Sequence, residues 1–198
     1  MCLPDNENPE DHMIRIAAAL ALSVAAGAAQ ASSHSEASGP EGPVTSQDEM
    51  TVSVARGTIL DRDGREIGRV TATDTESGIV HVIVTAEGIS PGVHGVHFHE
   101  TGACEGDFSS AGGHIAGDAE HGLVEGGPHP GDMPNAHVQG DGVLAMEAFN
   151  SRLDLRDAFM DEDGAAFIIH ANADDYESQP SGAAGDRVAC AVMIPEMG

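Results

Sequence analysis

The stretch Gly92-Val93-His94-Gly95-Val96-His97-Phe98-His99-Glu100-Thr101-Gly102-Ala103-Cys104 decides how the rest of the chain is read. Side chains two apart on a strand share a face, so a strand here aims His97 and His99 at one metal ion from a rigid edge. His94, three residues before His97, cannot share that face. Downstream, His114, His121, His129 and Asp132 are spaced as loop ligands. Three nitrogens and one oxygen are enough to close a tetrahedral zinc site. A further histidine, His170, ends the apolar run Ala165-Ala166-Phe167-Ile168-Ile169 and is available to complete the first cluster. Two metal sites of different character are therefore expected within one small domain.

The surrounding sequence favours an all-β domain. Short Val/Ile/Thr-rich runs at 51–54, 69–73, 79–84, 143–148, 165–169 and 188–194 read as strands, and Asp63-Gly64 and Glu76-Ser77-Gly78 as turns between them. Evenly spaced strands joined by turns suggest a sandwich or barrel. With five Phe, one Tyr and no Trp, the core must come from Val, Ile, Leu, Ala and Met. Residues 100–140 show no periodic run. A structureless loop that long needs an explanation inside a compact domain, and metal ligation can replace the core such a segment lacks. Residues 173–187 form a second long loop.

Four blocks then give the chain a family resemblance: His94-Gly95-Val96-His97-Phe98-His99, Ser110-Ala111-Gly112-Gly113-His114, His129-Pro130-Gly131-Asp132-Met133-Pro134-Asn135 and Gly185-Asp186-Arg187-Val188-Ala189-Cys190. In that order and at these spacings the chain from about residue 51 onward resembles the copper/zinc superoxide dismutases. The resemblance implies a Greek-key β-sandwich or flattened barrel with two long functional loops. It assigns His97, His99 and His170 to copper, makes His114 the bridge between copper and zinc, and completes the zinc set with His121, His129 and Asp132. It makes Arg187 the cation that attracts and orients superoxide near copper. Asp174 becomes the carboxylate linking a copper-side to a zinc-side histidine, His94 a support of the copper strand, and Asp175 an ordinary surface acid. The sequence departs from the family in three places. The intervals His114 to His121 and His121 to His129 are each about one residue shorter, with Ile115-Ala116-Gly117 in place of aromatic-Asn-Pro. Ala183 stands where Asn is usual, and Asp186 sits beside Arg187, where its charge opposes the capture of an anion. His81, between Val80 and Val82, reads as an exposed strand position, and no partner is evident for His137 or His12.

The amino-terminal end reads separately. Residues 1–12 are acidic, but from Met13 a short basic start, the apolar residues 17–29 and Ala29-Gln30-Ala31 describe a secretory signal peptide. The apolar run is too short to span a membrane. Translation is expected to start at Met13, with cleavage after Ala31; the alternative is a longer leader beginning at Met1. Residues 1–31 hold four acids (Asp5, Glu7, Glu10, Asp11) and one base (Arg15), so their removal changes the net charge from −25 to −22. Residues 32–50 read as a flexible tether, leaving 51–198 as the folded domain. A free Ser32-Ser33-His34 terminus is a square-planar nitrogen set for Cu(II) or Ni(II), although coincidence also accounts for it. With Cys2 in the leader, Cys104 and Cys190 are an even pair in an exported domain and are expected to form a disulfide; paired thiolate ligands are the alternative. A periplasmic or secreted location follows.

The acidity excludes a nucleic-acid binder. A superoxide dismutase is expected, with a dismutase-like copper/zinc-binding protein without turnover as the alternative. A zinc hydrolase would need an open zinc position beside a general base, whereas this zinc set already holds four protein ligands. A homodimer face would look, in sequence, like any half-apolar strand surface.

Overall fold

The structure, a computed structural model, describes residues 52–197. The expected leader and tether, Cys2, His12, Ser32-Ser33-His34 and Thr51 lie outside these residues. Nine strands follow in order: β1 (Val52–Asp61), β2 (Glu66–Asp74), β3 (Val80–Ala86), β4 (Gly92–His94), β5 (Val96–His99), β6 (Ala136–Val138), β7 (Leu144–Asn150), β8 (Ala165–His170) and β9 (Arg187–Met197). They form one antiparallel sheet in the order β4-β6-β7-β3-β2-β1-β9-β8-β5. The chain passes from β4 to β5 through Gly95, so the two end strands are joined covalently and the sheet is a nearly closed, flattened barrel. From β3 the chain leaves to β4 and returns through β6 and β7 to pair with β3 again, the long return connection of a Greek key. Among the described residues, no helix is long and apolar enough to cross a membrane.

Alternation builds the interior. Along β3, Val80, Val82, Val84 and Ala86 point inward while Ile83 and Thr85 face out. Phe98 and Phe167 fill the centre with ring centroids 5.2 Å apart, and Phe159 lies 5.5 Å from Phe98. Phe159 comes from α1 (Leu155–Phe159), a short helix missed by the strand-and-turn reading. Its cap Asp154 accepts hydrogen bonds from the Arg156 and Asp157 amides, and Leu155, Ala158 and Phe159 are buried.

Strand β8 is buried along its whole length because both faces are covered. Ala165, Phe167 and Ile169 enter the barrel core, whereas Ala166 and Ile168 pack outside it with Phe108, Ala111 and Cys190. The expected disulfide links Cys104 to Cys190 across 86 residues, with Cα atoms 5.8 Å apart. It fastens the loop after β5 to β9 over this second, smaller core.

Several elements extend or correct the sequence reading. β1 continues to Asp61, well past the run expected at 51–54. The segment 100–140 is not wholly irregular, since it holds a 3-10 turn at Ser109–Ala111 and strand β6. β4 is a separate strand, so His94 and His97 belong to opposite ends of the sheet order.

Candidate metal centre

On β5, Val96 and Phe98 enter the core while His97 and His99 face outward beneath the long loops, all four residues being buried. The loop carrying the remaining histidines is stitched back onto this strand. Phe98 N–H donates to Gly131 O at 2.9 Å, Ile115 N–H to Phe98 O at 2.9 Å and Gly131 N–H to Ile115 O at 2.8 Å. Isolated bridges pair His97 with Asp132 and His99 with His114. Gly131 is required at this crossing, because a Cβ there would lie 2.4 Å from Phe98 O.

Each expected copper ligand has one ring nitrogen committed to an acceptor. His99 Nδ1 lies 3.0 Å from Gly112 O, His170 Nδ1 3.1 Å from Gly185 O, and His97 Nε2 2.8 Å from Asp174 Oδ2. A neutral imidazole that donates from one nitrogen keeps a lone pair on the other. Those other atoms, His97 Nδ1, His99 Nε2 and His170 Nε2, are buried without a hydrogen-bond partner, as is His114 Nε2. The four residues bring ligand atoms within 4.8 Å of one another. Burial pushes His97 down to about 4, His99 to about 2 and His170 to about 3, which keeps the lone pairs free of protons.

The second set gathers around one carboxylate oxygen. The Nδ1 atoms of His114, His121 and His129 lie 2.9, 3.0 and 3.3 Å from Asp132 Oδ1. His121 Nε2 also faces a carboxylate, Asp174 Oδ1, at 3.1 Å. A neutral ring cannot donate from both nitrogens, so three imidazoles around one oxygen suit a cation between them. Burial would raise Asp132, but hydrogen bonds from His114 and the Gly122 amide outweigh it and hold the carboxyl below its usual range. Burial lowers His129. His97 also has a ligand atom within 4.8 Å of the His114, His121 and Asp132 set. That group contains His97 in place of His129; the uncommitted nitrogen of His97 is Nδ1, and His129 Nδ1, 3.3 Å from Asp132 Oδ1, is buried without a hydrogen-bond partner.

His114 faces both ways, with Nδ1 toward Asp132 and Nε2 among the copper-side nitrogens. Asp174 is the second link, its two oxygens taking one histidine from each set. Burial opposes its ionisation, yet hydrogen bonds from His97 and the Tyr176 amide hold it near 2. The Asp174 backbone is fixed in turn by Asn135, whose Oδ1 accepts from Asp174 N–H and whose Nδ2 donates to Asp174 O. Gln179 grips His121 by both backbone groups, at 2.8 Å each. Gln179 and Tyr176 carried no signal in the sequence, since neither is a metal-ligand type, and Gln179 acts across 58 residues.

Arg187 opens β9 directly across from His170. Ile169 pairs with Ala189 and His170 with Arg187, leaving Val188 as an extra residue; such bulges re-aim a side chain next to a site. The guanidinium donates at 2.6 Å to both Phe108 O and Gly112 O. Gly112 O is also the partner of His99, so the cation is one shared acceptor from the copper set. Asp186 is 82% exposed and 3.9 Å from Arg62. His94 takes no part in either set: its ring lies between Ser90 O and His170 O at 2.8 and 2.7 Å and ties the approach to β4 onto the end of β8. His81 is half-buried rather than exposed, paired with Glu147 at 2.7 Å and stacked on Phe149. The His137 side chain is exposed, and Asp175 receives the Glu177 and Ser178 amides in a surface turn.

A flattened antiparallel barrel carrying two adjoining histidine-rich groups, each able to hold a metal ion, has the make-up of a dinuclear metalloprotein. The family model described as copper/zinc superoxide dismutase matches residues 66–193. The chain is 39% identical over 140 residues to the Cu-Zn superoxide dismutase of Caulobacter vibrioides, covering 66% of this chain and 80% of that one. It is 36% identical over 143 residues to Cu-Zn superoxide dismutase 1 of Aquifex aeolicus, covering 68% and 84%. Among solved structures, a SOD-like protein from Bacillus subtilis matches with a TM-score of 0.64 at 33% identity, over 70% of this chain and 97% of that one. The Cu/Zn superoxide dismutase from Brucella abortus matches at 0.60 and 27%, over 71% and 99%. The chain belongs to the copper/zinc superoxide dismutase family.

Proposed function

We propose that this chain converts two superoxide anions and two protons to one dioxygen and one hydrogen peroxide, with copper held by His97, His99, His114 and His170 and zinc by His114, His121, His129 and Asp132. The observation that carries the reading is His114, which offers one nitrogen to each set. When bound, copper supplies a one-electron couple and zinc a fixed positive charge without redox chemistry. The chain's own residues do the rest. Asp174 and the Gly112 and Gly185 carbonyls fix the histidine tautomers and orientations. Whenever its Nε2 is not bound to metal, His114 would hold a proton there and deliver it to the second superoxide, with the further electron supplied by the one-electron couple and the second proton by water. Arg187, its fork pinned by two carbonyls, attracts and orients the small anion. A protein that only stores metal has no use for such a cation, which weighs against binding without turnover.

The domain is proposed to be exported, to the periplasm or outside the cell, by a leader at residues 1–31 and to carry the tether at 32–50. The disulfide suits that compartment. Intact-mass analysis of the exported protein tests this; a mass retaining residues 1–12 contradicts the expected start at Met13. Self-association into a homodimer is proposed with it and is read by sedimentation.

Superoxide decay followed directly on the copper/zinc-reconstituted protein tests the activity. Rapid catalytic decay is expected. Arg187→Ala should slow it by roughly 10–100-fold, the loss of a charge-assisted hydrogen bond to the anion, with copper and zinc content unchanged. Tight copper binding with decay no faster than in buffer would leave a binding protein.

A further inference from the structure

In the zinc-side loop the intervals His114 to His121 and His121 to His129 are each about one residue shorter than the family pattern, and the loop ends on the ligands His129 and Asp132. What holds them lies outside the loop, at the end of β7. Asn150 is buried, and its Nδ2 points into the loop, 2.9 Å from Pro130 O and 3.3 Å from Asp132 O. Arg152, two residues on, reaches the same segment from its exposed side, donating to Pro128 O at 3.2 Å and Gly127 O at 3.0 Å. Four carbonyls between residues 127 and 132 are thus taken by two side chains. The corner carrying those side chains is itself fixed, because Asn150 Oδ1 accepts from the Arg152 and Leu153 amides at 2.8 Å each, and Leu153 is buried in the barrel core.

We infer that Asn150 and Arg152 are positioning residues for the zinc half of the centre: they set the loop carrying His129 and Asp132 from the rigid end of β7, in place of the loop's own length. Neither touches a ligand side chain, and both act through the backbone that aims the ligands. On the opposite side the loop is held by Gly131 against Phe98 and Ile115, so it is gripped from both faces. The copper-side nitrogens lie on β5, β8 and the loop at His114, none of which these two side chains bond. Their loss should therefore be felt at zinc and not at copper. The inference rests on the zinc assignment above.

Two substitutions in the full chain separate the clamp from general stability. Asn150→Asp keeps the acceptor that closes the corner and removes the donor to Pro130 and Asp132. Arg152→Met keeps the exposed stem and removes both guanidinium bonds. Zinc affinity is measured by chelator competition, copper affinity likewise, and cobalt(II) in the zinc position reports its geometry by visible absorption. Outer partners of metal ligands are worth roughly 10–100-fold in affinity. Each variant is expected to lose zinc affinity in that range and to change the cobalt spectrum, with copper affinity unchanged. Wild-type zinc affinity and cobalt spectrum in both variants would overturn the inference. So would a parallel fall of zinc affinity, copper affinity and melting temperature of the metal-free protein, the mark of a purely structural role. If the unsubstituted protein itself gives no tetrahedral cobalt spectrum, the zinc assignment fails first and takes the clamp with it.

Discussion

Gly182 sits at φ +65°, and a Cβ placed on it would meet Asp174 Oδ1 at 1.8 Å and His121 Nε2 at 2.7 Å. The hydrogen bond that orients a zinc-side histidine therefore depends on a residue that is neither charged nor a ligand. Gly182→Ala should displace Asp174 and weaken both metals, by roughly 10–100-fold in affinity as for other partners of metal ligands. Chelator competition reads this; unchanged affinities for both metals would contradict the linking role of Asp174. At this scale the sequence carried much of the site. His97 and His99 were legible because strand periodicity is a local rule, and Asp174 through its family match. Gly182, Gln179 and Tyr176 were not: Gln179 reaches His121 across 58 residues, Tyr176 reaches Asn135 across 41, and the crowding of Gly182 by His121 leaves no local pattern.

Two elements bring the ligands together, the β5–β8 strand pair and the loops laid over it. Strand β8 was readable as an apolar run, but its burial on both faces follows only from the second core beneath the 3-10 turn. That core and the disulfide hold the loop whose Phe108 and Gly112 carbonyls pin Arg187. Reduction of Cys104–Cys190 should cost about 2–4 kcal/mol of stability and release the guanidinium before the metals. Denaturant unfolding together with superoxide decay in reductant checks this, and equal stability with full activity would contradict it. Helix α1 and strands β4 and β6 were missed for the same reason. At three to five residues each is too short for a periodic signal, and only its neighbours settle its conformation.

Across the whole molecule, the titration of the centre sets acid stability. Burial holds His97, His99 and His170 at about 4, 2 and 3 against an ordinary 6.5. Below pH 6.5 the unfolded chain binds protons that the folded chain refuses, so the metal-free protein should lose stability as pH falls from 6.5 toward 4. Asp174, held near 2, adds a further loss below its ordinary 3.8. Bound metal competes with these protons and should move the transition to lower pH. Unfolding monitored from pH 7 to 3 tests this; metal-free stability that stays level from pH 7 to 4 would contradict it. A second consequence comes from the charge, −25 with all eight basic residues arginine. Repulsion of superoxide at long range should weaken as the Debye length shrinks from about 30 Å at 0.01 M to about 8 Å at 0.15 M. The catalytic rate constant kcat/KM should therefore rise with added salt over that range; a steady fall would show that a local positive field dominates the approach. Whether His114 joins two distinct metals is read by anomalous diffraction at the copper and zinc edges on crystals of the reconstituted protein. A copper peak is expected among His97, His99, His114 and His170 and a separate zinc peak among His114, His121, His129 and Asp132. Both signals at one position, or a metal on either side with His114 turned away, would contradict it.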